Sequence, residues 1–212
     1  RLPEYGGGTI PDVIDGLTFE AMLAPGAQIQ RPSDGKTPRE VVFVQCAGSR
    51  DPEHGVPYCS KVCCMYVAKQ ARLFKERVPY GQAYVFYIDI RSAGKGYDEY
   101  VQRAMTDYRT LYLRGKVSKI FKDGNKVIVW GSDTLSYRAV EIAADLVVLA
   151  TPMAAPGSAK EMAQRLAPCG EGAANGHGRE CDQPGHRGPG LEARRDRART
   201  HAQREQDVED AH

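Results

Sequence analysis

The feature that most constrains the fold of this chain is a strand pattern that ends directly at a cysteine. Residues 41–45 are Val-Val-Phe-Val-Gln, a run of β-branched and aromatic residues that predicts a short buried strand. Three more cysteines follow after gaps of twelve, three and no residues, so the group consists of Cys46, Cys59, Cys63 and Cys64. A helix pattern from about Lys61 to Arg77 comes next, with Ser60 as its predicted N-cap. The motif is therefore strand, cysteine loop and helix.

Further patterns extend this motif into a parallel α/β sheet. The segment 84–90 predicts a second buried strand, and an amphipathic segment at about 97–108 predicts a second helix. A small antiparallel excursion is predicted next, with a hairpin turn at 123–125 and strand patterns at 111–113, 116–121 and 126–130. The segment 146–150 predicts a returning buried strand. This order of elements is that of the nucleotide-binding half of a flavoprotein with two dinucleotide-binding domains.

The glycine-rich phosphate loop of that fold is missing from its expected place. In a dinucleotide-binding domain the first strand leads into Gly-x-Gly-x-x-Gly. The corresponding residues here are Cys46-Ala47-Gly48-Ser49. Gly6-Gly7-Gly8 has no strand pattern before it and predicts a flexible turn. The missing motif argues against an NAD(P)-binding domain of a flavoprotein disulfide reductase, which we keep as an alternative.

The cysteine spacing is typical of a metal centre. Crowded thiolates repel one another unless a metal shares their charge, and the adjacent Cys63 and Cys64 are awkward to join as a disulfide. An iron–sulfur cluster is our leading interpretation. A zinc-stabilised structural or docking module is an alternative, because tetrathiolate zinc uses the same ligands. A redox dithiol and small buried helix cysteines without a metal are further alternatives.

Composition changes abruptly at residue 168. The segment 168–212 has Leu191 and Val208 as its only large apolar residues and contains no lysine, which predicts a disordered tail, either natural or translated out of frame. Its Cys-His group fits no common zinc spacing and consists of Cys169, His177, Cys181 and His186. We therefore predict an irregular lead-in segment of the flavoprotein core at 1–40, a Rossmann-like domain at 41–167 and the disordered tail at 168–212.

Charge and hydropathy exclude several classes of function. The net charge of +2 favours neither nucleic acid nor acidic substrates. No segment approaches the ~20 apolar residues that cross a membrane, and the closely spaced cysteines indicate a reducing compartment, so we predict a cytoplasmic protein. His54 is the only histidine before residue 168, so the sequence indicates no Ser-His-Asp triad in the body of the chain. Because the chain begins at Arg1 within a loop-like segment, we expect it to be a fragment.

Three segments resemble successive signatures of one family, the A subunit of heterodisulfide reductase and its relatives in sulfur and methane metabolism. The segments are Val-Gln-Cys-Ala-Gly-Ser-Arg-Asp-Pro at 44–52, Pro-Tyr-Cys-Ser-Lys-Val-Cys-Cys-Met-Tyr at 57–66 and Tyr-Ile-Asp-Ile-Arg-Ser-Ala-Gly-Lys-Gly-Tyr at 87–97. Shorter matches lie at 4–6, 31–36 and 145–153. The resemblance covers most of residues 1–166.

The resemblance implies an iron–sulfur flavoprotein with a thioredoxin-reductase-like core. It implies an oxidoreductase component that transfers electrons between FAD and [4Fe-4S] clusters, by electron relay or flavin-based bifurcation. The implied ligands of a [4Fe-4S] cluster close to the FAD of the full-length protein are Cys46, Cys59, Cys63 and Cys64. Lys69 resembles the family lysine near the flavin ring, although its place at the edge of the polar helix face equally fits a solvated lysine.

The family also implies partners. These are other heterodisulfide-reductase-like subunits and hydrogenase or other electron-donor subunits, in a larger complex that contains a homo-oligomer. Neither nucleic acid nor a membrane span is expected. The family's amino-terminal FAD-binding half and its ferredoxin-type cysteine runs are absent from this sequence, so we expect the isolated chain to be inactive.

Overall fold

The computed structural model describes residues 2–166 of the chain, which divides into two compact units, Arg1–Ala154 and Ala155–His212. In the second unit the described element is a helix, Gly157–Leu166. The predicted tail at 168–212, with its Cys-His group, lies outside the described residues. No helix within residues 2–166 is long and apolar enough to cross a membrane.

The first unit alternates strands and helices before it forms a hairpin region. After a short 3-10 helix at Pro3–Tyr5, its elements in chain order are β1 (Val13–Asp15), α1 (Gly16–Met22), β2 (Glu40–Val44), α2 (Cys63–Arg77), β3 (Gln82–Tyr87), α3 (Tyr97–Thr106), β4 (Leu111–Arg114), β5 (Val117–Asp123), β6 (Lys126–Asp133), β7 (Arg138–Ala144) and β8 (Leu146–Leu149). The predicted order of two strand-helix units, an antiparallel excursion and a returning strand is confirmed, except that β4, predicted within the excursion, pairs in parallel with β3.

Five parallel strands form the main sheet in the order β1-β8-β2-β3-β4. The returning strand β8 lies between β1 and β2, so that Val147 is the partner of Val42. Strands β2 and β8 are continuous apolar runs because both faces of the sheet are covered. Val41, Val42 and Phe43 are fully buried as a result.

Helix α2 covers one face of this sheet with the residues that its periodicity predicts. Cys63, Val67, Ala71 and Phe74 are all buried, and they join a core that includes Phe43 and Val85 of the sheet. The helix begins at Cys63, so the predicted start at Lys61 and the predicted cap at Ser60 are wrong. Lys61 has φ of 59°, which cannot continue a right-handed helix. Ser60 Oγ instead accepts a hydrogen bond from Met153 N at 2.9 Å.

A three-stranded antiparallel sheet, in the order β5-β6-β7, covers the opposite face. Its fully or almost fully buried Val127 and Val129 join a core with Val42 and Phe86 of the main sheet. The hairpin turn between β5 and β6 includes Gly124 at φ of 56°, as the turn sequence predicts. Strand β7 was not predicted, because only Ile142 and Ala144 are buried and its exposed positions mix charged residues with alanine.

The segment 1–40 is not irregular as predicted, since it contains β1 and α1. Strand β1 pairs with β8 at the edge of the main sheet. A strand of three residues is too short for a periodic pattern, which explains why the sequence did not reveal it. Arg31 in the same segment is buried and forms a 2.9 Å ion pair with Asp12. The lead-in segment is therefore joined to the sheet by strand pairing, and a buried ion pair links two of its own residues.

Candidate metal centre

Three loops meet at the carboxyl edge of the parallel sheet, next to the start of α2. Cys46 lies two residues after the end of β2, Asp89 follows β3 and Thr151 follows β8. Because parallel strands place their carboxyl ends along one edge, these loops surround the first turn of α2, which contains Cys63 and Cys64. This edge is where ligands bind in open α/β sheets.

The loop between Cys46 and Cys59 is held together by its own backbone. Val56 N donates to Gly48 O at 3.0 Å, Arg50 N donates to Tyr58 O at 3.2 Å, and Ser49 Oγ donates to the same Tyr58 carbonyl at 2.9 Å. The two sides of the loop approach so closely that a Cβ on Gly55 would lie 2.2 Å from the Gly48 oxygen. The loop is therefore a compact structure that fixes where its terminal cysteines emerge.

Left-handed backbone is concentrated in this loop. Cys46, Arg50 and Lys61 each have φ of 59°, a region that residues other than glycine rarely adopt. Such conformations cost free energy and persist where the surroundings enforce them, most often at functional sites. The turn at Cys46 begins the cysteine loop, and the turn at Lys61 lies between Cys59 and the two helix cysteines.

The two helix cysteines lie among polar groups of the neighbouring loops. Cys64 Sγ accepts a hydrogen bond from Arg91 N at 3.4 Å and contacts Asp89 O at 3.7 Å and Gln45 Oε1 at 3.5 Å. Cys63 Sγ lies 3.6 Å from Thr151 O. Among the loop cysteines, the Cys59 sulfur accepts from Lys61 N at 3.4 Å. Backbone N–H groups aimed at sulfur are the donors that stabilise thiolate ligands.

The four thiols lie close enough to influence one another's ionisation. The pKa of Cys46 is raised to about 11, mainly by burial and then by the charge of Cys64. Arg50 opposes this rise, and Cys59 and Cys63 make smaller contributions to it. Burial is also the largest cause of the raised pKa values of Cys63 and Cys64. Reactive thiolates need a lowered pKa, so these values argue against the redox-dithiol interpretation.

None of the four cysteines forms a disulfide. Within residues 2–166, no three His, Cys, Asp or Glu side chains are arranged so that they would hold a metal ion. Cys63 and Cys64 are buried and fixed on the first turn of α2, whereas Cys46 and Cys59 are half-buried on the loop. The donor set is thus two fixed helix thiols and two loop thiols that would have to move inward to complete a ligand shell.

Two arginines of this region, Arg50 and Arg91, form ion pairs with one carboxylate. Arg50 Nη1 lies 2.9 Å from Asp89 Oδ1, and Arg91 Nε lies 3.3 Å from the same oxygen. The hydrogen bond from Arg91 and that from Arg50 together hold the pKa of Asp89 below its ordinary value, against the effect of burial. Asp89 therefore links the loop after β2 to the loop after β3, beside Cys64.

Lys69 lies one and a half turns further along α2, on its exposed side. Its Nζ pairs with Glu20 of α1, and the neighbouring Gln70 Nε2 donates to the other carboxylate oxygen at 3.0 Å. About half of the Lys69 side chain is exposed. Lys69 is therefore a partly solvated lysine that also forms an ion pair between α2 and α1.

The sequence analysis missed three contacts of the site. Thr151 and Asp89 contact Cys63 and Cys64 through their backbone carbonyls, which no residue pattern encodes. The third contact is made by Gln45. The sequence does contain a sign of it, because Gln45 is the one polar residue in the segment 41–45. It is buried, with 5% exposure, directly before Cys46.

Solved structures are similar to this chain in fold. The crystal structure of L-lysine 6-monooxygenase from Pseudomonas syringae aligns with a TM-score of 0.50 at 10% identity, over 74% of this chain and 44% of that chain. At such identity the likeness concerns the fold alone. No protein-family model matches the sequence. Together with the sheet order, the likeness defines the class: a Rossmann-like α/β domain with a cysteine loop in place of the phosphate loop.

Curated relatives are similar over most of the chain. The A subunit of the H2/formate:CoB-CoM heterodisulfide, ferredoxin reductase of Methanococcus maripaludis is 43% identical over 172 residues, 78% of this chain and 26% of the relative. The iron-sulfur A subunit of the CoB–CoM heterodisulfide reductase of Methanocaldococcus jannaschii is 44% identical over 177 residues, which cover 79% of this chain and 27% of that relative. The chain belongs to the family of heterodisulfide reductase A subunits, and it spans about a quarter of the length of these relatives.

Proposed function

We propose that this chain is part of an oxidoreductase subunit in which Cys46, Cys59, Cys63 and Cys64 ligate a [4Fe-4S] cluster that exchanges electrons with FAD in the full-length protein. The observation that supports this most directly is the convergence of four unpaired cysteines at the carboxyl edge of the sheet, with backbone N–H donors aimed at two of the sulfurs. The name of the relative from Methanocaldococcus jannaschii, an iron-sulfur subunit of a reductase, agrees with it.

The residues of the site suit this role in three ways. The first turn of α2 has no side-chain cap, so its N–H groups and the positive end of the helix dipole favour negative charge at Cys63 and Cys64. The guanidinium group of Arg50 adds positive charge near Cys46, and that of Arg91 adds it near Cys59 and Cys64. The hydrogen-bonded loop keeps Cys46 and Cys59 in the same region as the first turn of α2, and their thiols would move inward to complete the ligand shell. When bound, the cluster supplies one-electron transfer at a potential that charge, burial and hydrogen bonds to sulfur determine.

The remaining parts of the proposal concern the full-length protein. We propose that Lys69, whose half-exposed side chain is paired with Glu20, lies near the flavin ring in the full-length protein. Electron relay or flavin-based bifurcation would involve other heterodisulfide-reductase-like subunits and hydrogenase or other electron-donor subunits. We propose a homo-oligomer within this larger complex and a cytoplasmic location.

Metal analysis tests the cluster. Anaerobic reconstitution of the chain with iron and sulfide should give about four irons per chain and a broad visible absorption that is bleached on reduction. Replacing Cys63→Ser and Cys64→Ser together should reduce the bound iron to a small fraction, because two ligands fixed on the helix are lost. The matched control is Cys169→Ser with Cys181→Ser, which removes two cysteines outside the described site and should leave the iron content unchanged.

Two results would contradict this proposal. A colourless protein that binds one zinc tightly through the same four cysteines would favour the structural or docking module. Equal loss of iron in the tail control would show that the ligands are not those proposed here.

A further inference from the structure

The glutamine that precedes the first cysteine has an unusual environment. Gln45 is 5% exposed, and its backbone N–H donates to Phe86 O at 3.0 Å, which continues the pairing of β2 with β3. Its side chain points to the cysteine helix, where Oε1 lies 3.5 Å from Cys64 Sγ. Among the described residues, its Nε2 is buried and has no hydrogen-bond partner. A buried N–H₂ group without an acceptor is costly.

Whether Cys64 carries a proton decides which end of this amide can face its sulfur. A neutral thiol can donate its S–H to Oε1, which is the arrangement of the structure. A thiolate has no proton to donate and can only accept. The two ends of a glutamine amide are nearly identical in shape, so a half-turn of the amide brings Nε2 to the position that Oε1 occupies. The amide would then donate to the Cys64 sulfur.

We propose that Gln45 is a positioning residue that donates a side-chain N–H hydrogen bond to the Cys64 sulfur when Cys64 is a thiolate ligand, and that this bond raises the reduction potential of the cluster. This inference rests on the proposed function. Arg91 N already donates to the same sulfur at 3.4 Å, so Cys64 would accept two N–H groups. Hydrogen bonds to a ligand sulfur stabilise the more negative, reduced state of an iron–sulfur cluster.

A competing role for the amide is to bind water. Gln45 and Cys46 line a cavity of about 20 Å³ together with Tyr5 and Asp51, which is large enough for one water molecule. A glutamine that only holds a water there would affect stability but not the electronic state of the cluster. The two roles therefore differ in the potential and in the magnetic coupling to the cluster.

The test compares two buried glutamines in the full 212-residue chain. Gln45→Leu removes the proposed donor. Gln70→Leu is the matched control, because Gln70 is 1% exposed on the same helix as Cys64 but donates to Gly16 O at 2.8 Å, toward α1. After anaerobic reconstitution, the midpoint potential of each cluster is measured by redox titration followed by electron paramagnetic resonance.

We expect the midpoint potential of Gln45→Leu to shift to a more negative value, with that of Gln70→Leu unchanged from the unsubstituted chain. An unchanged potential in a fully loaded Gln45→Leu protein, or the same shift in both variants, would overturn the inference. Failure of the unsubstituted chain to bind a cluster would instead contradict the proposed function, so the two failures are distinguishable.

A second measurement needs no substitution, in case Gln45→Leu does not fold. Glutamine labelled with ¹⁵N at the side-chain amide is incorporated into the unsubstituted chain, and the reduced cluster is studied by pulsed electron paramagnetic resonance. A weak ¹⁵N coupling from a side-chain amide is expected, since Gln45 would contact a ligand sulfur. A loaded cluster without any ¹⁵N coupling would overturn the inference.

Discussion

At the scale of single residues, the cysteine loop depends on places where only a small side chain or a rare backbone conformation fits. Gly55 approaches Gly48 so closely that a Cβ would lie 2.2 Å from its carbonyl oxygen. Cys46 and Arg50 adopt left-handed backbone at the first turn of the same loop. The position of the two loop cysteines is thus set by local backbone geometry.

Gly55→Ala tests this dependence. The new methyl group has to displace the backbone of Gly48, so we expect a loss of about 3 kcal/mol in the free energy of unfolding and weaker retention of iron after reconstitution. Denaturant unfolding and iron analysis measure the two effects. Gly157→Ala is the control, because nothing lies within 4 Å of the position its Cβ would occupy. Equal stability of the two variants would contradict the role given to Gly55.

At the scale of elements, a buried charge network joins the lead-in segment to the hairpin sheet. Arg31 contacts Asp12 at 2.9 Å and Asp34 at 3.3 Å, and Asp145 Oδ1 lies 3.9 Å away. The Arg31 guanidinium also donates to Asn125 O at 2.6 Å, in the turn between β5 and β6. One buried cation thus connects the segment before β2 with the turn of the antiparallel sheet.

The network predicts a pH dependence of stability. Burial raises the pKa of Asp12, but hydrogen bonds from Ser33 and Arg31 outweigh it and hold that pKa below the ordinary value of 3.8. A pKa that is lower in the folded than in the unfolded state contributes stability above the unfolded value and loses it as the pH falls through the folded value. The free energy of unfolding should therefore decrease as the pH is lowered from about 5 toward 2.

Denaturant unfolding of the unsubstituted chain and of Asp12→Asn over this pH range measures the effect. At pH 7 the substitution should cost about 3 kcal/mol, the low end for a broken buried pair, because Asp34 and Asp145 still face Arg31. Below pH 5 the stability of Asp12→Asn should decrease less steeply. Parallel curves for the two proteins would show that Asp12 is not the group responsible.

At the scale of the whole molecule, the first unit is a parallel sheet covered by helices on one face and by an antiparallel sheet on the other. Phe86 of β3 belongs to the second core and is 1% exposed. Its ring lies 2.6 Å from the position that a Cβ on Gly131 of β6 would occupy, so the two sheets pack directly against each other there. The antiparallel sheet therefore contributes one of its faces to the core.

Phe86→Ala tests this packing. Removing a buried phenylalanine between the sheets should lower the free energy of unfolding by about 3–5 kcal/mol, from lost burial and the cavity that remains. Tyr80→Ala, at a side chain that is 98% exposed, should change it by less than about 0.5 kcal/mol. Thermal or denaturant unfolding gives both values. A small cost for Phe86→Ala would mean that the antiparallel sheet does not depend on the main sheet for its stability.

The sequence by itself determined the order of the main elements and the composition of the cysteine group. Continuous apolar runs such as 41–44 and 146–150 are local patterns that follow directly from burial on both faces of a sheet, and helix α2 follows from apolar spacing. The cysteine spacing and the family resemblance rest on residue identity alone. The roles of the four cysteines and of Lys69 as cofactor residues stay predictions.

The tertiary structure alone decided which distant groups surround those cysteines. Strand pairing brings the carbonyls of Asp89 and Thr151 to α2, although they lie 25 and 88 residues from the cysteines they contact. The short strand β1 and the buried amide of Gln45 likewise depend on partners outside their own segments, which are β8 and Cys64. Local patterns cannot encode such contacts, because they arise from the register of a sheet whose strands are not consecutive in sequence.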